Sequence, residues 1–292
     1  MLFDLFGVNS PMEISARSKN ILERIVEARR ESVAHRKRVL PEAALRMAVE
    51  KKVAPPRDFA SALTGPGIRI IAELKKGSPS RGLIRSDFAP ALLAAEFEQA
   101  GAAALSVLTE EDFFSGSLAD LKEASRVTAI PILRKDFILD PWQVWETRAS
   151  GADSFLLIAA VLDDETFRAL LTLGRSLKME PLVEVHSRKE LERVLSAGAQ
   201  IIGVNNRDLQ DFSVHLKTSL ELVQAIPQDC IAVSESGLRT REDLVRLNQA
   251  GFDAFLIGEH LMQHADPAQA LHTLLQPRSL EKPGHASDET QW

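Results

Sequence analysis

The chain has 292 residues, 45% of them hydrophobic, with a single cysteine and a formal net charge of −6 at pH 7. That length suits one large barrel or two ordinary domains around a sizeable core, and mixed charges with a mildly acidic balance speak against a nucleic-acid or membrane-surface partner. Cys230 alone cannot build a disulfide framework, which fits a reducing, cytoplasmic setting, and no run of about 18 apolar residues is present to span a bilayer.

The opening "MLFDLFGVNS" is apolar but short, and it carries Asp4 where a signal peptide needs positive charge. Residues 1–16 are therefore expected to be a flexible N-terminus, with Met12 as an alternative start. Residues 17–50 read as one or two amphipathic helices, and "APPRDF" (54–59) breaks them. The basic run "RRESVAHRKR" (29–38) is expected to form the solvated face of a helix.

From residue 68 onward, short apolar runs recur with helical patterning between them: "IRIIAELK" (68–75), "ALSVLTE" (104–110), "IPILRKD" (130–136) and "DSFLLIA" (153–159). "PLVEV" (181–185), "IIGVNN" (201–206), "CIAVSES" (230–236) and "AFLIG" (254–258) bring the number to eight. Each is nearly continuous in apolar residues, as strands buried on both faces should be. A weak repeat supports the count. "QAGAAALSVL", "ASGADSFLLI", "SAGAQIIGV" and "QAGFDAFLIG" each place a glycine after a helical stretch and before an even-numbered strand, where a left-handed C-cap residue belongs.

Eight alternating strand–helix units predict an α/β fold, a (β/α)8 TIM barrel with an N-terminal helical extension. The domain spans 17–275, with its extension over 17–60, and the polar residues 276–292 are expected to be a disordered tail. An open doubly wound sheet is the alternative, but "KKGSPSRG" is not the glycine-rich turn such a sheet shows after its first strand.

Strand C-terminal ends form the rim on which a barrel of this kind builds its site. Here they supply Glu73 and Lys75, Thr109 and Glu110, Lys135 and Asp136, Glu184, Asn205 with Arg207, Glu235 with Ser236, and Gly258 with Glu259. Only the fourth strand ends apolar. Any one of these charges could be a paired strand end, yet two lysines among three glutamates make a set whose crowding separates acids from bases near neutral pH. "SESGL" and "LIGEHL" put Gly237 and Gly258 at strand-to-helix junctions, where backbone N–H groups can surround a phosphate or merely make tight turns. His260 and His264 have a chelating spacing but no acidic partner, and read as surface residues. Phe113, Phe114 and Phe137 suit core packing or ligand contact; Trp142 and Trp145 suit the core.

Taken together, "IAELKKGSPSRG", "LTEEDFFSGSL", "ILRKDFILDPWQV", "LVEVHS", "IGVNNRDL", "VSESG" and "LIGEHLM" make the sequence resemble the indole-3-glycerol-phosphate synthase family of tryptophan biosynthesis, over roughly residues 20–275. That family is a (β/α)8 barrel with helices over its active face. It converts 1-(2-carboxyphenylamino)-1-deoxyribulose 5-phosphate to indole-3-glycerol phosphate, carbon dioxide and water, with neither cofactor nor metal. By resemblance, Lys135 is the general acid, Glu184 the general base, and Lys75 the holder of the substrate carboxylate and an acid for dehydration. Glu73 tunes the lysines and Asn205 orients substrate and Glu184, while Arg207 and Glu235 complete the polar ring. Ser78, Ser236, Gly237, Gly258 and Glu259 line the phosphate end, and Phe114 and Phe137 enclose the aromatic ring.

Two positions depart from the family pattern: some members carry a basic residue where Gly77 stands, and small residues are frequent where Glu259 and His260 lie. A carboxylate at Glu259 would repel phosphate, so contact there must come from backbone N–H groups. The expected partner is a small phosphorylated substrate, acting on a monomer or weak homodimer. A class I aldolase with a Schiff base on Lys135, another sugar-phosphate barrel and a non-catalytic role are the alternatives.

Overall fold

The eight apolar runs are strands that close on themselves. They are β1 (Arg69–Leu74), β2 (Ala104–Leu108), β3 (Ile132–Lys135), β4 (Ser154–Ile158), β5 (Leu182–Val185), β6 (Ile201–Asn205), β7 (Ile231–Glu235) and β8 (Ala254–Ile257). Each pairs in parallel with its neighbours in sequence, and β1 pairs with both β2 and β8 to complete the barrel. This is the (β/α)8 architecture. The computed structural model describes residues 20–52, 54–208 and 212–276. The expectations of a flexible segment at 1–16 and of a disordered tail over 276–292 lie, apart from Gln276, outside the described residues.

Alternation along each strand sorts the side chains into two cores. Ile70, Ala72 and Leu74 face outward and join the layer between sheet and helices. Ile71, Leu133, Leu182, Ile201, Val233 and Ala254 face inward and fill the barrel. Each repeat glycine adopts positive φ: +97° at Gly101, +90° at Gly151, +86° at Gly198 and +119° at Gly251. A side chain is strained there, so glycine lets each helix stop and the chain turn into the next strand.

The segment before the barrel wraps it from rim to base. α1 (Ile21–Val39) starts with a reciprocal cap between Asn20 and Glu23. α2 (Glu42–Lys52) follows, and α3 (Phe59–Leu63) places Phe59 and Leu63 in the same interior cluster as Ile71 and Leu133, plugging the barrel. Arg57 fastens this turn to the barrel floor, donating to Asp153 at 2.7 Å and to the Thr128 carbonyl at 2.7 Å.

The basic run 29–38 corrects the expectation of a solvated face. Arg30, His35 and Arg38 are exposed, but Arg29 is only 2% exposed and lies with Ile25 and Val33 on the buried stripe of α1. Its guanidinium donates to Asp136, the residue that follows the last residue of β3. Arg36 pairs with Glu146 and Lys37 with Asp140 at 2.7 Å, both partners belonging to or capping α4 (Pro141–Ala149). Trp142 and Trp145 are buried, but in a separate cluster with Val33 and Leu45 beneath α1 and α2.

Asp136 also accepts from Thr109 at 2.5 Å and from Arg134 at 2.9 Å. Burial pushes its carboxyl up, yet Arg134, Arg29 and Thr109 together hold it below the ordinary aspartate range. Its ionised form therefore stabilises the fold at neutral pH, and that contribution fades as pH falls through the carboxylate range. Asp136→Asn leaves two buried guanidinium groups undercompensated. A loss of about 3–5 kcal/mol at pH 7, narrowing toward low pH, is expected in urea unfolding.

Candidate active site

The inward position nearest the rim on each odd-numbered strand is charged. β1 contributes Glu73, β3 Lys135, β5 Glu184 and β7 Glu235, two residues beyond the apolar Ile71, Leu133, Leu182 and Val233. Layers of four side chains from alternate strands are how such barrels fill their interior. Here the top layer is three carboxylates around one ammonium. Lys135 Nζ lies 2.7 Å from Glu235 Oε2 and 3.1 Å from Glu184 Oε2. Lys75, one inward step beyond Glu73, bonds back to Glu73 Oε2 at 2.8 Å.

The even-numbered strands make room. A β-carbon added at Gly203 on β6 would overlap Glu235 Oε1, and one at Gly258, just past β8, would overlap the Glu73 carboxylate. Gly258 has a negative φ of −125°, so its missing side chain serves space rather than a left-handed turn. On β4, Leu156 and Ile158 face inward and supply an apolar wall, which gives the one apolar strand end its place.

Above this layer opens a cavity of about 490 Å³, large enough for a drug-sized ligand. Glu73, Lys75, Ser78, Phe114, Lys135, Phe137 and Glu184 line it, as do Asn205, Arg207, Glu235, Ser236, Gly237, Gly258 and Glu259. The fourteen residues given a role at the site from the sequence therefore meet at one mouth, while Thr109 and Phe113 do not line it. Phe114 and Phe137 face each other with ring centroids 6.2 Å apart. Glu110 lines the cavity too, but its carboxylate is consumed by the N–H groups of Asp112, Phe113 and Phe114, shaping the loop that presents those rings. Thr109 and Asp136 turn their polar groups into the ion network under α1.

Burial pulls against the charge on Lys135, but Glu235, Glu184 and Glu73 outweigh it and hold the ammonium well above the ordinary lysine range. Burial pushes Glu184 up, and Lys135, His186 and an Asn205 hydrogen bond bring it below the ordinary glutamate value. Glu235 goes the other way. Burial, reinforced by Glu184 and Glu73 and opposed by Lys135, pushes its carboxyl up to about 7. Among the described residues no donor reaches its Oε1, so nothing there stabilises a full negative charge on that oxygen. Adjacent groups are thus driven apart: a fixed cation, an ionised carboxylate and a carboxyl that titrates near neutrality.

Three contributors escaped the sequence reading. Asn206 points away from Asn205, and its amide donates to the carbonyls of Glu235 and Ser236 at 3.0 and 3.1 Å. It holds the loop where Ser236 and Gly237 both take positive φ, 67° and 79°. His186 lies 3.5 Å from Glu184 and 3.6 Å from Glu190, between two carboxylates. Arg81 reaches Glu259 from the loop after β1. Paired asparagines at a strand end were the only local signal for the first; the others depend on partners distant in sequence or in the next helix. The rings of His260 and His264 meet edge-on at 4.6 Å, with His264 Nδ1 2.7 Å from the His260 carbonyl. Among the described residues, no three His, Cys, Asp or Glu side chains are grouped to hold a metal ion.

The fold and the charged layer define the class: a TIM barrel with acids and bases gathered at its strand C-terminal rim, where enzymes of this fold build their sites. A sequence model of indole-3-glycerol phosphate synthase matches residues 22–274. The indole-3-glycerol phosphate synthase of Dehalococcoides mccartyi strain CBDB1 is 49% identical over 258 residues, covering 87% of this chain and all of that protein. That of Pelodictyon phaeoclathratiforme is 53% identical over 215 residues, covering 73% and 84%. The chain belongs to the indole-3-glycerol phosphate synthase family, carboxy-lyases of tryptophan biosynthesis. Among solved structures, 3-hexulose-6-phosphate synthase from Salmonella typhimurium superposes with a TM-score of 0.57 at 12% identity, covering 71% of this chain and 98% of that one. This likeness is one of fold.

Glu235 provides a direct test of the electrostatics. Between its ordinary value of 4.5 and about 7, the folded protein holds a proton that the unfolded chain has released, so stability falls as pH rises through that window. Glu235→Gln removes the penalty. Relative to the unsubstituted protein, the variant should gain about 3 kcal/mol between pH 4.5 and 8 in urea unfolding; equal slopes would show that Glu235 titrates as an ordinary glutamate.

Proposed function

We propose that this chain closes the indole ring on 1-(2-carboxyphenylamino)-1-deoxyribulose 5-phosphate, yielding indole-3-glycerol phosphate, carbon dioxide and water, through the layer of charges just described. The observation that carries the reading is the Lys135 ammonium, held charged between Glu184 and Glu235 at the floor of the cavity. A ketone placed against it meets a ready proton as the aromatic carbon attacks, and the developing alkoxide is neutralised as it forms. Lys75 then pairs with the substrate carboxylate until that group leaves as carbon dioxide and its electrons restore the ring. Glu184 takes a proton from the carbon adjoining the new carbinol, an acid protonates the hydroxyl, and water departs as the double bond forms. Lys75 is assigned that second acid role, with Glu73 tuning both lysines and Asn205 fixing Glu184.

The aromatic ring lies against Phe114 and Phe137 and the apolar wall of Leu156 and Ile158, and the ribulose phosphate extends toward Ser78, Ser236, Gly237 and Gly258. A Schiff base on Lys135 fits less well. An amine nucleophile needs its charge disfavoured, and three carboxylates do the opposite. We place the enzyme in the cytoplasm on its lone Cys230, and as a monomer or weak homodimer because the exposed large apolar side chains of the described residues are spread over separate elements, among them Val39, Leu83, Leu92 and Val127.

With the carboxyphenylamino ribulose phosphate as substrate and indole emission as readout, Lys135→Ala and Glu184→Gln should each lower kcat by roughly 10²–10⁴-fold. Substrate binding should weaken far less, because these groups act mainly in the transition state. Turnover retained in Lys135→Ala would sink the mechanism, and borohydride trapping of a substrate imine would favour the aldolase.

A further inference from the structure

A carboxylate stands at the end of the cavity assigned to phosphate. Glu259 follows Gly258 directly, and its side chain is 16% exposed. Oε1 accepts from Arg81 Nε at 2.9 Å and Oε2 from an Arg207 terminal nitrogen at 2.9 Å. The three residues reach this point from different parts of the rim. Arg81 comes from the loop after β1, where Gly77–Ser78 ladders against Gly82–Leu83, and Arg207 from the loop after β6. Their side chains are 51% and 22% exposed. All three line the cavity.

A guanidinium presents the same planar fork of donors to a carboxylate and to a phosphate. Two arginines converging on one carboxylate thus form a site that a phosphate could use, already filled by the chain itself. A phosphate dianion and the Glu259 carboxylate cannot both keep these donors at contact distance without strong mutual repulsion.

We propose that Glu259 is a built-in competitor for the substrate's phosphate group: it occupies Arg81 and Arg207 in the empty site and must yield them when phosphate enters. The proposal rests on the phosphate-end reading above and adds what controls affinity there. The phosphate is remote from the reacting atoms and present in substrate and product alike. Tighter binding at this point is therefore uniform binding, which lowers KM and strengthens product inhibition without accelerating the chemistry. The carboxylate keeps this grip moderate at both ends of the reaction.

The test is isothermal titration of the full chain with inorganic phosphate at fixed ionic strength, comparing the unsubstituted protein with Glu259→Gln and Glu259→Ser. Both variants should bind phosphate roughly three- to tenfold more tightly, the scale set by freeing two partly exposed ion pairs. KM for the substrate should fall in the same sense, and phosphate should raise Tm more in the variants than in the parent. Thermal unfolding of each variant without phosphate verifies that it is folded, and either folded variant suffices. Equal or weaker phosphate binding in the variants would overturn the competitor and make Glu259 an organiser of the two arginines. Failure of phosphate to bind any of the three proteins would instead overturn the phosphate-end reading, and the competitor with it.

Discussion

One ammonium among three carboxylates governs this molecule. A barrel interior is ordinarily finished with branched apolar side chains, and here its uppermost layer is ionic. Such a layer is tolerable only because each charge has a partner within hydrogen-bonding distance, Lys135 with Glu184 and Glu235, and Lys75 with Glu73. The same crowding separates the protonation states of neighbouring groups. Structure and reactivity therefore share one cause, since the closeness that neutralises the layer also prepares an acid beside a base.

The N-terminal helices belong to that arrangement. Asp136 directly follows Lys135, and its carboxylate is fixed by Arg134, Thr109 and Arg29 of α1. The backbone of β3 cannot shift at its rim end without disturbing this buried network, so α1 steadies the lysine from behind. Arg24 of the same helix lies over the Phe113 ring, 5.9 Å from its centroid, beside the loop that presents Phe114. At the other end of the barrel, α3 and Arg57 close the floor. The extension thus braces both ends of the interior.

What could be read in the sequence follows from local periodicity. Apolar runs that end in a polar residue mark strand C-terminal ends, and those ends form the rim of such a barrel, which put Lys135, Glu184 and Glu235 there from the sequence. The repeat glycines were legible for a similar reason, since a helix that must stop and turn needs positive φ. Arg29 was misread because its partner lies 107 residues away in sequence, and nothing in a basic run tells a buried arginine from a solvated one. Arg81 was missed on the same grounds, its partner being 178 residues distant. Gly258 was noticed for its backbone N–H, while its use of empty space beside Glu73 appeared only when the strands were packed. His186 was hidden in a motif recognised for the glutamate before it.

Gly203 and Gly258 limit how this protein can be hardened. Replacing strand glycines by alanine is a usual route to stability, because it narrows the freedom of the unfolded chain. At these two sites the methyl group would occupy the berth of a carboxylate, pushing Glu235 or Glu73 out of register with the lysines. Thermostabilising libraries should therefore leave both positions alone and seek their gains on the outer helices, where added bulk meets solvent.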